Sequence, residues 1–505
     1  MSRTYRALLF ALLASPGLIP LVAPYLPFQD WPGHLGVIGA LIHLDDPAAN
    51  IRELLEFKGW FGPNRALYWM GTLFGRVLGP MLGGQLLLAL VMGSLGPAML
   101  WLCRAAGTDE RVALLALPLA LGRHLYCGFV LNAAGLTFLV LAIAAYFDVL
   151  RRPELKPTLR LAAVLFLIPF FHGFFHLVSV GLIAWCILLA LVQRRWRAAL
   201  AGVVTSALSF VALVPQLSSI GGDPNAPSLY TAVTTAAANA DRSRLGVELW
   251  EWLFASYRYS AVDDWFQGIW IAMLVMLLLV AVAFERRHFF TGLRWYLFFM
   301  AGVTAVMFWW LPSYIGPPLN WWGGNLRLPI VIAALLVPTV GLVGQMRAQN
   351  FIRVAAAFSV LVLLVAAADL VRFSYGEMDG LTEVIEVMPP GKKISSIHYT
   401  PREVHEYPGE PHGYVGNYYT LVKGGVTPHD LFEVKDIPFA RKQRLPSPPW
   451  GSGGGFRFNL HAPAFDGFLV RVAPNAPDAP FRKDDPRVTL VKSAGNWRYY
   501  RRNTP

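Results

Sequence analysis

The sequence predicts an all-α polytopic membrane domain followed by a soluble C-terminal domain of mixed α/β or α+β type. Apolar runs of spanning length recur from residue 7 to about residue 371, separated by short polar loops. The 505-residue chain is 55% hydrophobic and only 15% charged, too apolar for an ordinary soluble domain. After residue 373 the pattern changes to mixed charge, many prolines and short alternating runs, which marks a soluble module of normal domain size.

Eleven apolar segments, some of them short, fall near residues 7–27, 80–103, 111–125, 128–150, 159–171, 173–192, 197–217, 266–284, 292–311, 326–345 and 351–371. The fifth and sixth can also be read as one broken hairpin. The first has the basic start and apolar middle of a signal peptide, but residues 24–29 lack a small-residue cleavage pattern, which favours a retained anchor. Residues 28–79 read as an external connection with a short interfacial helix over 33–44 and a second apolar helix over 66–78. A long loop, 218–265, starts at the turn cluster Gly221-Gly222-Asp223-Pro224 and ends in the aromatic and acidic run 257–265. In the C-terminal part, 379–388 reads as an amphipathic helix and 414–422 as a second helix. Residues 393–398, 467–472, 487–491 and 497–501 read as strands, and 451–455 as a glycine-rich turn.

The formal charge of +12 and pI near 9.7 invite a nucleic-acid reading. Topology accounts for the excess instead, because the arginines and lysines fall in alternate short loops: Arg104 and Arg111, Arg151 and Arg152, Arg194 and Arg195, Arg286 and Arg287, Arg347 and Arg353. The positive-inside rule makes these loops cytoplasmic and the N-terminus cytoplasmic with them. Residues 1–373 then form the transmembrane domain with external loops 28–79, 218–265 and 312–325, and 374–505 form an external soluble domain. The three cysteines, Cys103, Cys127 and Cys186, are scattered through the membrane part and make no disulfide framework or zinc knuckle.

The predicted external side collects the residues that can do chemistry. Asp30 and His34 follow the first span in Gln29-Asp30-Trp31-Pro32-Gly33-His34, where Pro32 sets a helix start just past the acid. Asp30 can act as a base or can merely suit the positive end of the helix. His34, one turn on, can orient it, hydrogen-bond a substrate or ligate a metal. His124 and Asn132 flank the third and fourth spans, and His172 and His176 sit at the break between the fifth and sixth. That pair has i, i+4 spacing suited to zinc but lacks an intervening glutamate and an obvious third ligand. Arg258 and Arg327 are the cations for a phosphate, with interfacial anchoring as the alternative role. Trp321 belongs to an outer set with Trp31, Trp60, Trp69, Trp250, Trp252, Trp265 and Trp322 that suits sugar stacking or a membrane aromatic belt. Gly83 and Gly84 make no phosphate loop, since no Lys-Ser/Thr follows.

The acidic motif after the first span, the interfacial helices and the further spans resemble the C-type glycosyltransferase superfold of polyprenyl-phosphate-sugar-dependent enzymes, which includes protein O-mannosyltransferases and lipid A aminoarabinose transferases. The resemblance covers the membrane half, with Phe28-Gln29-Asp30-Trp31-Pro32-Gly33-His34 at the motif's position. Gln29 stands where many relatives have a second acid, and Asn132 where an acid often lies in the next external loop. Family members often carry an arginine in the late position of Arg327. The resemblance implies an integral membrane enzyme, in a bacterium that of the inner membrane. It would transfer a sugar, with inversion, from a lipid-phosphate donor to a glycan, lipid or protein acceptor outside the membrane. Asp30 would be the base, and His34, His124, Asn132, His172, Arg258, Arg327 and Trp321 would contact substrate. No cofactor is required by the motifs, and a divalent metal is compatible with them. The other readings are a transporter or lipid flippase built around broken helices such as those of 159–192, and a noncatalytic assembly protein.

Overall fold

A computed structural model describes residues 3–62, 64–214, 228–238, 242–253, 261–316, 321–340, 346–399, 407, 409–432, 434, 437–472 and 480–503. The chain is mostly helical and folds as two compact units. One comprises Met1–Gly17, Val91–His124 and Leu131–Ala366, the other Leu18–Leu90, Leu125–Val130 and Ala367–Pro505.

Seven described helices are long and apolar enough to cross a membrane: Arg3–Val22, Pro80–Ala106, Val130–Arg151, Gly173–Val192, Ala261–Glu285, Leu293–Trp310 and Gln349–Gly376. They leave large apolar side chains bare, among them Leu90, Leu188, Leu279, Val306 and Leu364. Water would penalise so much exposed hydrocarbon, whereas lipid is its natural solvent, and a helix satisfies its own backbone there. This is an integral membrane protein. The four remaining apolar segments of the sequence are shorter helical pieces. Leu155–Phe171 and Trp196–Phe210 are α-helices of 17 and 15 residues, and residues 325–340 combine an α-helix with 3-10 turns.

The predicted span at 111–125 differs most from expectation. It is two 3-10 helices, Glu110–Ala116 and Pro118–Leu121, and a short turn of α-helix, Arg123–Tyr126. Asp109 caps its start by accepting from the Arg111 N–H at 2.9 Å. Pro118, lacking an N–H, prevents an uninterrupted α-helical ladder through the segment.

Within the first unit, Leu155–Phe171, Gly173–Val192 and Trp196–Phe210 pack on one another, and Leu293–Trp310 packs on Pro329–Leu336. Pro169 lies inside the first of these helices, and His172 beyond it is extended at φ −162°. The chain therefore restarts as a new helix at Gly173.

In the second unit the helix Trp31–Ile42 is buried along nearly its whole length. A Cβ on Gly36 would fall 2.4 Å from Asn417 Oδ1, and one on Gly39 2.4 Å from Leu421 Cα. The helix Asn417–Lys423 can lie directly on it only because those positions carry no side chain. The opposite face is fixed by Ile38 and Ile42, which fill the spaces over Gly71 and Gly75 of the helix Ala66–Leu78.

Among the described residues eight strands make three small sheets: β1 (Leu55–Phe57), β2 (Tyr314–Ile315), β3 (Trp321–Trp322), β4 (Ile394–His398), β5 (Phe439–Arg441), β6 (Gly467–Arg471), β7 (Val488–Ala494) and β8 (Trp497–Arg502). The four-stranded sheet runs β4-β6-β8-β7, with β4 and β6 parallel and the other neighbours antiparallel. β4 and β6 are buried throughout. The edge strand β7 is mostly exposed and carries a bulge between Leu490 and Lys492, features that discourage edge pairing. β1 pairs antiparallel with β5, joining Leu55 to Arg441.

Candidate active site

Asp30 occupies the residue before the helix Trp31–Ile42, yet its carboxylate makes no capping hydrogen bond. It accepts instead from Gln29 Nε2 at 3.2 Å. Gln29 is held from both ends: its amide N–H donates to the Tyr126 carbonyl at 2.9 Å, and its side-chain oxygen accepts from the Glu410 N–H at 2.9 Å. Gly128, at φ +83°, brings the chain so close that a Cβ there would sit 2.1 Å from the Asp30 nitrogen. These contacts place a half-buried carboxylate with one amide partner and no cation bonded to it among the described residues. Burial pushes the Asp30 carboxyl up to about 7, against the smaller opposing pull of the Gln29 hydrogen bond.

His34 lies one turn along the same helix face. Its N–H donates to the Asp30 carbonyl at 3.0 Å, and its Nδ1 shares a 2.8 Å hydrogen bond with the Tyr68 hydroxyl. The ring is buried, which pushes its pKa down to about 4 and keeps it neutral near pH 7.

The first unit holds a separate polar set. Arg327 donates from Nη2 to the Trp322 carbonyl at 3.1 Å and lies over the Phe174 ring, 5.6 Å from its centroid. Its charge acts electrostatically on both His124 and His172, so each of them lies near it. His172 packs edge-on to Phe175, with centroids 5.4 Å apart, and its Cβ would be 3.0 Å from a Cβ on Gly135. Asn132, one turn before Gly135 on the same helix face, is buried. Both polar atoms of Asn132, and Nδ1 of His124 and of His172, are buried without a hydrogen-bond partner among the described residues. Buried polar atoms left so are costly, and a polar ligand is one way of satisfying them.

His176 points elsewhere: its Nε2 bonds the Ser209 hydroxyl at 2.8 Å and its ring packs on Phe210. Among the described residues no three His, Cys, Asp or Glu side chains converge to hold a metal ion. Arg258 lies outside the described residues, as do the cluster 221–224 and the start of the run 257–265. The side chain of Trp321 is also outside them, although its backbone pairs with Ile315.

Sequence reasoning passed over Tyr68 and Gly128, whose importance comes from long-range contacts with no local signal. It treated Gln29 only as a missing acid. It also passed over Arg123, which pairs with Glu251 and lies over the Trp252 ring at 5.0 Å, with Trp252 in turn edge-on to Trp322.

No family model and no curated relative matches this sequence. Among solved structures the chain is similar to ArnT from Cupriavidus metallidurans bound to undecaprenyl phosphate, with a TM-score of 0.53 and 11% identity over 99% of this chain and 98% of that one. The same protein in its apo state gives a TM-score of 0.48 and 11% identity, with 98% of each chain covered. The likeness to the first is one of fold, and it extends over essentially the entire length of both chains.

Proposed function

We propose that this protein is an inverting membrane glycosyltransferase that moves a sugar from a polyprenyl-phosphate donor to an acceptor hydroxyl on the external face, with Asp30 as the base. The observation that carries the reading is Asp30 itself. It is an uncapped, half-buried carboxylate raised to about 7, at the start of a buried helix in a chain with the ArnT fold. A base poised near the working pH combines a useful ionised fraction with real affinity for a proton.

The acceptor oxygen attacks the anomeric carbon as its proton passes to Asp30. The bond from that carbon to the phosphate oxygen breaks, and the electron pair leaves with the lipid phosphate. Arg327 meets the charge that gathers there, with His124, His172 and Asn132 as hydrogen-bonding neighbours. Undecaprenyl phosphate, which ArnT binds in the similar structure, suits the lipid of the donor. The setting is a bacterial inner membrane with the N-terminus cytoplasmic and residues 374–505 outside.

The test is the stereochemistry of the product. Purified protein given a polyprenyl-phosphate sugar of known anomeric configuration should yield a product of the opposite configuration by NMR. Retention would rule out direct displacement assisted by one base.

A further inference from the structure

Away from Asp30, the second unit contains a cleft of about 700 Å³ whose wall includes Tyr414, His429, Asp430, Arg444, Ser447 and Trp450. We propose that this cleft binds an acidic oligosaccharide, its sugar face on Trp450 and its anionic group on Arg444; the inference rests on the transferase reading, for which such a glycan is the acceptor.

Trp450 is the first ground. Its backbone is left-handed, at φ 52° and ψ 19°, a conformation that a bulky residue adopts only under constraint. The fold supplies the constraint. The Trp450 carbonyl is hydrogen-bonded by His398 Nε2, Tyr414 packs edge-on to the indole at 5.9 Å, and a Cβ on Gly413 would come within 3.0 Å of the ring. Yet the residue is 42% exposed. A strained residue held so that a large apolar ring faces a cleft is what a ligand platform requires, and sugar C–H faces stack on such rings.

Charge is the second ground. Asp430 is neutralised by a two-pronged pair with Arg441, which also donates to the Pro428 carbonyl at 2.9 Å and so fixes this wall. Arg444 is exposed and has no acid partner among the described residues. Among the described lining residues the uncompensated charge is therefore positive, and a guanidinium suits a carboxylate or phosphate. Prolines 428, 446 and 449 line the same cleft and stiffen its loops, which reduces the entropy lost on binding. Position is the third ground. Cβ placement at Gly33 would meet Leu431 Cγ at 2.9 Å and Tyr414 Cδ1 at 3.1 Å, so two wall segments stand on the helix that Asp30 precedes.

The test uses the full chain in detergent against immobilised neutral oligosaccharides, uronate-bearing oligosaccharides, sugar-phosphate oligosaccharides and acidic peptides. The uronate and phosphate arms identify which anion is preferred. Acidic oligosaccharides should bind, and Arg444→Ala and Trp450→Gly should each weaken them at least about tenfold, the scale of an interface anchor. Glycine accepts the left-handed backbone, so Trp450→Gly should unfold at a temperature no lower than the parent while losing the ligand. Binding is measured without any donor and is read whether or not sugar transfer is ever detected, which separates failure of this proposal from failure of the transferase reading. The proposal is overturned if no acidic oligosaccharide binds, if both cleft variants bind normally, if acidic peptides bind equally well, or if Trp450→Gly lowers the unfolding temperature.

Discussion

Asp30→Asn keeps the shape of the side chain and removes a proton acceptor, so its consequences can be worked out for both rate and stability. The carboxyl is raised from 3.8 to about 7 by burial. In the parent, turnover should follow the ionised fraction, about a tenth at pH 6, half at pH 7 and nine tenths at pH 8. The variant should lose about a hundredfold or more, the range for a positioned base, and should lose the rise between pH 6 and 8 with it. The stability sign follows from the same shift. Between pH 4 and 7 the folded state holds a proton that the unfolded state has released, so the parent loses stability as pH rises through this window. At about 1.4 kcal/mol per unit the full shift is worth up to about 4 kcal/mol, less what solvent takes back from a half-exposed group. Asn has no such dependence. The unfolding temperature of Asp30→Asn should therefore gain on that of the parent from pH 4 to pH 8, a comparison from which the titration of His34 largely cancels. Parallel pH profiles of rate and stability in the two proteins would refute the reasoning, because they would mean that Asp30 is ionised throughout and takes no proton.

Three further outcomes are expected. Gly128→Ala forces a methyl against the Asp30 backbone at a left-handed position and should cost both stability and transfer, whereas Gly59→Ala, with nothing near its Cβ, should leave transfer intact; equal effects on transfer would remove Gly128 from the positioning of Asp30. Arg327→Lys should retain charge but lose the planar fork and lower turnover appreciably, while normal donor use by Arg327→Gln would move the phosphate role to Arg258 or His172. Thiols introduced at Ser228 and Ser447 should react with a membrane-impermeant reagent on intact cells and one at Thr158 should not; the reverse pattern would invert the proposed topology.

Much of the architecture was legible because the bilayer imposes a simple rule. The long apolar helices stand where hydropathy placed them, and the helix Ala66–Leu78 has the limits its patterning predicted. The strands β4, β6, β7 and β8 were likewise visible in short alternating runs. The 3-10 segments at 110–121 were not, since an apolar run does not reveal how Pro118 breaks its hydrogen-bond ladder. Nor could Leu-Glu-Phe at 55–57 announce a partner strand at 439–441, because that pairing is long-range. The surroundings of Asp30 were hidden for the same reason. The motif singled out the acid, but the grip of Tyr126 and Glu410 on Gln29, the approach of Gly128 and the bond from Tyr68 to His34 arise from segments far apart in the chain.

The most direct measurement of the central claim is made on the lipid. Purified protein reconstituted with a bacterial lipid extract containing polyprenyl-phosphate sugars, and with an envelope glycan fraction as acceptor, can be followed by mass spectrometry of free polyprenyl phosphate. Free polyprenyl phosphate should accumulate only when the acceptor fraction is present, in step with sugar gained by that fraction, and Asp30→Asn should slow both together. Sugar transfer without release of the lipid phosphate, or release at the same rate in Asp30→Asn, would contradict the account.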